Sequence, residues 1–454
     1  MKLFHLLGRN IVNIKHLISI TYFGLATATL PTVAIANETH KTILQTYAEL
    51  AHSSYHQALA DAINLQSKLQ AFANKPSEQS MEVAKNAWLQ SRESYGVTEI
   101  FRLAGGPIDA EYGWVADAYG SLEGQINAWP LDEIMIDYTI AADGTITSGN
   151  IIDSKGIFHP GGEAVEITNI SAGTLSALNE NGGDANVSSG YHAIEFLLWG
   201  QDQDYNNFAA DRVTNGALTA GERPLSDFTE NSLASRRFDY LNAAADLLVN
   251  DLNIVANAWL DNINNNGCAA NMNGCYRAAF LSELSGADTD KNINSTYALR
   301  SVIASMGTFI KSELANERIA VAVLTPSEED EHSCFSDNTH RDITQNFQGF
   351  INVLKGELDG INMGISLYDQ VSIDTRQKLD RLINAIDTRI ATMNYLAENS
   401  MHFDYQILDT NQASEIRHMK NDMRKLGDLM AAVATDLSID LTIADVTDAE
   451  ETKL

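Results

Sequence analysis

The sequence predicts an all-α protein made of two helical-bundle halves, and three observations lead there. Apolar residues recur at helical spacing over most of the chain. Several of the periodic stretches run to about seven turns or more at 3.6 residues per turn, the length of bundle helices. They also stop where helices stop: Pro76 follows the first, Gly105-Gly106-Pro107 the second and Gly267 the fourth.

In chain order, Lys2, Arg9 and Lys15 precede an apolar run at 17–30, and Ala34-Ile35-Ala36 has a small-x-small pattern. Residues 1–36 therefore read as a secretory signal peptide cut before Asn37, and the protein is expected to be exported, to the periplasm or an outer-membrane-associated location. The run is shorter than a spanning helix needs, and no later segment reaches that length, so no transmembrane helix is expected in the mature chain. Helices are expected at 39–73, 77–103, 191–199, 236–263, 292–323, 341–359, 374–398 and 411–436. Between 105 and 190 the periodicity fails, and Asp143-Gly144 within DYTIAADGTITSG predicts a minor β-hairpin insertion. A second break at 201–229, carrying Gly221 and Pro224, reads as the join, giving an N-terminal half at 37–230 and a C-terminal half at 231–454.

The chain has 30 basic and 60 acidic residues, a formal net charge of −30. Without the leader the balance is 27 against 60, because residues 1–36 hold three basic and no acidic side chains. A surface so acidic repels nucleic acid and anionic lipid. Of the three cysteines, Cys268 and Cys275 lie in the Asn/Gly-rich stretch NNNGCAANMNGCYR and are expected to form a disulfide in an exported protein. Closing so short a loop contributes roughly 2.5 kcal/mol by chain entropy. Cys334 is left over and is expected to be free and buried, as a small apolar residue.

Candidate chemistry centres on GYHAIEFLLWGQD, which begins at Gly190. With Ser188-Ser189 as the expected N-cap, His192 falls in the first turn, with Glu195 and Trp199 on the same stripe at i+3 and i+7. The positive end of the helix dipole disfavours imidazolium, so His192 is held in its neutral, metal-binding form. Two ligands do not complete a site, and the plain alternative is a structural polar pair. The expected partners lie in SEEDEHSCFSDNTHRD, 327–342, where six carboxylates and two histidines share sixteen positions. Glu328, Glu329 and Asp330 read as a solvated helix start, leaving His332, Asp337 and His340 as candidate ligands, with Asp337 as the expected helix cap. On the second helix Trp88, Arg92, Tyr95 and Glu99 follow one stripe; the first three are candidate pocket residues together with Trp199, and Glu99 a candidate ligand across from His192. In NAWPLDEIMID, Asp132 and Glu133 follow Pro130 and need no role beyond capping.

Taken together, WLQSRESYGVTE, NAWPLDE, GYHAIEFLLWG and EEDEHSCFSDNTHRD resemble the imelysin-like family, within it the iron-regulated group, over essentially the whole mature chain. Gly190, His192 and Glu195 match its GxHxxE hallmark. The resemblance implies an exported all-helical protein of two halves with its site near GxHxxE, expression under iron control and a part in iron handling. The implied cofactor is a metal ion, iron or zinc, or an iron-bearing ligand, and the implied partner is the iron-uptake machinery of the cell envelope. Because the family was first described as insulin-cleaving metallopeptidases, zinc-dependent hydrolysis is the rival. HExxH is absent, however, and HxxEH fails because Phe196 follows Glu195. A third reading is a scaffold whose polar pairs only join the helices.

Overall fold

The computed structural model describes residues 30–141, 143–202, 220–261, 268, 272–324 and 331–448, with side chains from residue 38 onward. Most of the proposed leader, the capping-helix acids Glu328, Glu329 and Asp330, and part of the join near 201–229 lie outside the described residues.

The long helices are α1 Leu30–Asn74, α2 Glu78–Gly96, α3 Gly190–Trp199, α4 Ala234–Ala258, α5 Ser295–Thr308, α6 Thr339–Lys355, α7 Ile373–Asn399 and α8 Thr410–Asp436. Their starts follow capping chemistry. Ser77 and Ser80 form a reciprocal capping box on α2, Asn294 accepts from Thr296 and Tyr297 N–H on α5, and Asp409 accepts from Asn411 and Gln412 N–H on α8. Along α1, Ile43, Tyr47, Leu50, Ala51, Tyr55, Ala58, Ala62, Leu65, Leu69 and Phe72 are all buried, a continuous stripe at three- and four-residue spacing.

The packing gives two groups and a seam. α1 packs on α2 and α4, with α3 between α2 and α4; α7, α8 and α5 pack together further along the chain. α6 lies across both groups, touching α2 and α7, and α1 also meets α5. Arg341 on α6 grips Glu93 on α2 with two nitrogens at 2.7 Å each, a bidentate clamp across the seam. One apolar core runs from Ile43 to Val446, so helices on both sides of residue 230 share it.

Three departures from the expected elements bear on the site. The second helix stops at Gly96 rather than 103, at a point where α6 passes so close that a Cβ on Gly96 would sit 2.8 Å from Gln345 Cβ. The chain then makes a 3-10 turn, Glu99–Phe101, which takes Glu99 off the Trp88–Arg92–Tyr95 stripe. The helix expected over 292–323 is also broken: after α5 it is wound as a π-helix over Phe309–Ala320 before a last α-turn, Val321–Leu324. The expected hairpin at Asp143-Gly144 shrinks to one bridge, Ile140 with Ile146. The two-stranded ladders lie elsewhere, β1 Ile157–Phe158 with β2 Val165–Glu166 and β3 Glu357–Leu358 with β4 Ile361–Asn362.

Cys268 and Cys275 are joined, and Cys334 is free and buried.

Candidate functional site

Gly190 explains where α3 sits. It has φ +77°, and a Cβ there would lie 2.3 Å from the Ile126 carbonyl oxygen, so only glycine lets the helix start against that turn. Every residue of α3 is buried. Ser189 occupies the N-cap position, but its hydroxyl does not cap; it donates to the Gln125 carbonyl at 2.9 Å.

His192 Nδ1 lies 2.9 Å from Glu195 Oε2, one turn along the same face. The other oxygen, Glu195 Oε1, accepts from Ser336 N–H at 3.0 Å and Ser336 Oγ–H at 2.6 Å. Both carboxylate oxygens are thus engaged, a geometry in which Glu195 fixes the orientation of the His192 ring. When Glu195 is ionised the proton sits on Nδ1 and the Nε2 lone pair of His192 points away from Glu195. That Nε2 is buried and has no hydrogen-bond partner among the described residues. Burial, then the neighbouring His332, holds the imidazole well below its usual pKa and therefore neutral. Burial pushes the Glu195 carboxyl well up, against the two donors of Ser336.

A second pair repeats the arrangement. His332 Nδ1 lies 2.7 Å from Asp342 Oδ2, on the first turn of α6. Burial alone would push the Asp342 carboxyl up, but Arg92 and His332 hold it well below the carboxylate range. An ionised Asp342 can only accept, so the proton sits on His332 Nδ1 and leaves Nε2 with a lone pair. Arg92 Nε donates to Asp342 Oδ1 at 3.3 Å, and Ser333 Oγ donates to Oδ2 at 2.6 Å. The two imidazole rings meet edge to face, centroids 4.7 Å apart, with the Trp129 indole 4.8 Å from His192.

The remaining candidates divide. His332 joins His192 and Glu195, and Arg92 reaches His332 both directly, Nη2 to Nδ1 at 3.4 Å, and through Asp342. Glu99 is 3.7 Å from Arg92, is bound directly by Arg318 from the π-helix, and accepts from Asn346 at 3.1 Å. Those partners, led by Arg318, hold its carboxyl low against burial, so Glu99 sits here as the buried counter-ion of Arg318 and Arg92. Trp88, Tyr95 and Trp199 are core: the Trp88 indole donates to the Tyr191 carbonyl at 2.9 Å and packs 5.3 Å from Trp199, and the Tyr95 ring packs tilted, 5.1 Å from Tyr191. Asp337 does not cap α6, where Asn338 holds that position; its carboxylate instead faces His402 Nδ1 at 3.2 Å. His340, held neutral by burial with its pKa near 4, also lies on the His402 side. Asp132 does cap, accepting from Met135 N–H at 3.1 Å.

Sequence reasoning missed Asp342, Ser336, Arg318 and Trp129. The signal for Asp342 was present, since it lies within the 327–342 stretch already singled out. Ser336 and Trp129 carry no spacing signal, and Arg318 acquires its place from the π-winding.

Among the described residues no three His, Cys, Asp or Glu side chains converge as a ready-made metal cage. What the site offers is two neutral imidazoles, each held by a carboxylate, packed against one another at the seam.

A mostly helical protein with carboxylate-held histidines between two helix groups is the class that fold and site define. The chain belongs to the Imelysin family, whose sequence profile, also named Peptidase M75, matches residues 51–430. It is 24% identical over 379 residues to Iron-regulated protein A of Synechococcus elongatus, covering 83% of this chain and 79% of that protein. The fold is similar to the crystal structure of a protein from Parabacteroides distasonis assigned as an iron-regulated protein A precursor. That match has a TM-score of 0.59 at 16% identity, over 88% of this chain and 95% of the other.

Proposed function

We propose that this chain is an exported iron-handling protein that binds a metal ion, iron first, or an iron-bearing ligand, through His192 and His332. The observation that carries the reading is the buried Nε2 of His192, neutral, without a partner and beside a second imidazole held in the same way. Imidazole donors suit iron or zinc and not calcium, which takes oxygen ligands. In this reading Glu195 and Asp342 set the tautomers and raise the basicity of the ligand nitrogens, while Arg92 and Ser336 fix the carboxylates. With no cage of three side chains among the described residues, the metal keeps ligands of its own, which favours a partly chelated ion over a bare one.

The leader at 1–36 supports export, to the periplasm or an outer-membrane-associated place, and the name of the cyanobacterial relative supports expression under iron control. Iron uptake at the cell envelope follows as the role, with that machinery as partner.

The Peptidase part of the family name favours a second reading, a zinc metallopeptidase. Hydrolysis needs a general base free to take a proton from water. Glu195, Asp342 and Glu99 are each occupied by their own partners, so the first reading is preferred.

Metal content of the purified protein, with calorimetry against ferrous, ferric and zinc ions, tests the proposal. Binding is expected in the wild type and lost in His192→Ala and in His332→Ala. Unchanged affinity in His192→Ala overturns it and leaves the pair structural; chelator-sensitive proteolysis lost on Glu195→Ala would turn the choice to the peptidase.

A further inference from the structure

Trp129 stands between the helical turns Glu123–Ile126 and Glu133–Ile136 and is half-buried. Besides His192, its indole meets Phe335 at 5.7 Å and His332 at 6.3 Å. The same side chain lines two cavities. One, of about 390 Å³, also takes in Asp132, Glu133, Thr139 and Gln201; the other, of about 200 Å³, takes in Arg102, Glu313, Arg318 and His332. His332 therefore presents an edge to the smaller cavity. His192 lines neither and is fully buried, although its Nε2 is the atom left without a partner. The indole thus borders both cavities and packs edge to face on the His192 ring.

We propose that Trp129 is the gate over the histidine pair, and that swinging its indole outward joins the two cavities into one chamber that admits a metal together with a small chelating ligand. This rests on reading the pair as the metal site. The contacts that hold the ring are ring-to-ring contacts, individually weak, and a side-chain rotation releases them without moving a helix. A bare ion needs no such volume on either side of its entrance. A chelate does, and it supplies the ligands that the protein does not.

The test that needs no metal is labelling of the full-length protein with diethylpyrocarbonate, which attacks neutral imidazole, read site by site by peptide mass spectrometry. His192 is expected to react slowly in the wild type and at least about tenfold faster in Trp129→Ala, because the opening step is removed; His332 is expected to change less. His40, buried and bonded to the Leu437 carbonyl at 3.0 Å, serves as the folding control in the same sample. Slow labelling of His192 in Trp129→Ala with His40 protected overturns the gate. Should His40 open in that variant, Trp129→Phe decides by the same two readings. Ferric citrate and ferrous ion are then offered to the wild type: retention of the citrate complex through desalting supports the chamber, and uptake of ferrous ion alone overturns it. If labelling changes as expected and neither iron form binds, the metal reading fails while the gate stands.

Discussion

Ser336 gives both its backbone N–H and its hydroxyl to one oxygen of Glu195, at 3.0 and 2.6 Å, from a chain segment 141 residues away. The family motif on α3 is thus completed by the segment that leads into α6. Ser336→Ala is expected to weaken metal binding by about tenfold, the usual effect of removing a group that orients a ligand histidine, and to cost stability only about 1 kcal/mol. Titration of the two proteins with the metal found in the purified wild type checks it; equal affinities would show that Glu195 needs no help.

Metal affinity is expected to rise with pH. Burial keeps Glu195 protonated well above the usual carboxylate range, and a cation on His192 favours the ionised form with the proton on Nδ1. Below that raised pKa, each cation bound releases about one proton. Calorimetry in buffers of different ionisation enthalpy measures the proton count, and a count of zero at mildly acidic pH would falsify the assignment.

Stability has its own pH dependence at Asp251, buried on α4 with an Oδ2 that finds no donor among the described residues. Burial pushes its pKa from 3.8 to about 7. Between those values the folded protein holds a proton that the unfolded chain has lost, so stability falls as pH rises through the window and the loss is complete above about 7. Asp251→Asn is therefore expected to raise Tm at pH 8 and to leave it nearly unchanged at pH 4. Equal shifts at both would mean that the carboxyl does not titrate there.

Asp137 is the side chain whose loss is expected to harm the fold most among the buried carboxylates outside the site. It accepts from Arg223 at 2.7 Å and from Arg237 at 2.7 and 3.0 Å, joining the 105–190 region to α4. Asp137→Ala leaves buried guanidinium charge uncompensated and is expected to cost about 3–5 kcal/mol. Chemical denaturation measures it, and a loss near 1 kcal/mol would indicate that water or Asp227 takes over.

The long helices were legible because their apolar spacing and caps are local properties of the chain. α1, α4, α7 and α8 begin or end within a few residues of the expected positions wherever both are described. The requirement for glycine at 96 was not legible, because Gln345 on another helix imposes it. His192 and Glu195 were visible as a pair, and His332 as a candidate partner, since GxHxxE and the 327–342 stretch each announce themselves. Their roles were not, because an isolated His-x-x-Glu does not tell whether the glutamate binds metal or orients the histidine. Ser336, arriving from afar, is the added partner of Glu195 that the local motif does not announce. Asp337 and His340 drew attention by composition, yet the turn before α6, where Asp337 has φ +55°, sends them toward His402.

The π-wound segment makes the chain sensitive to length. Over Phe309–Ala320 successive turns are a residue wider than α-turns, which places Glu313 and Arg318, five apart, close enough for a 3.2 Å contact. Arg318 then extends to Glu99, tying the segment to the neighbourhood of the histidines. A one-residue deletion here would let the segment relax into ordinary α-helix, turning everything beyond it about its axis and carrying Arg318 off its two carboxylates. Conservative exchanges within these twelve positions are therefore a smaller insult than any change in their number. The segment works as a spacer whose count, more than its composition, keeps the two helix groups in phase.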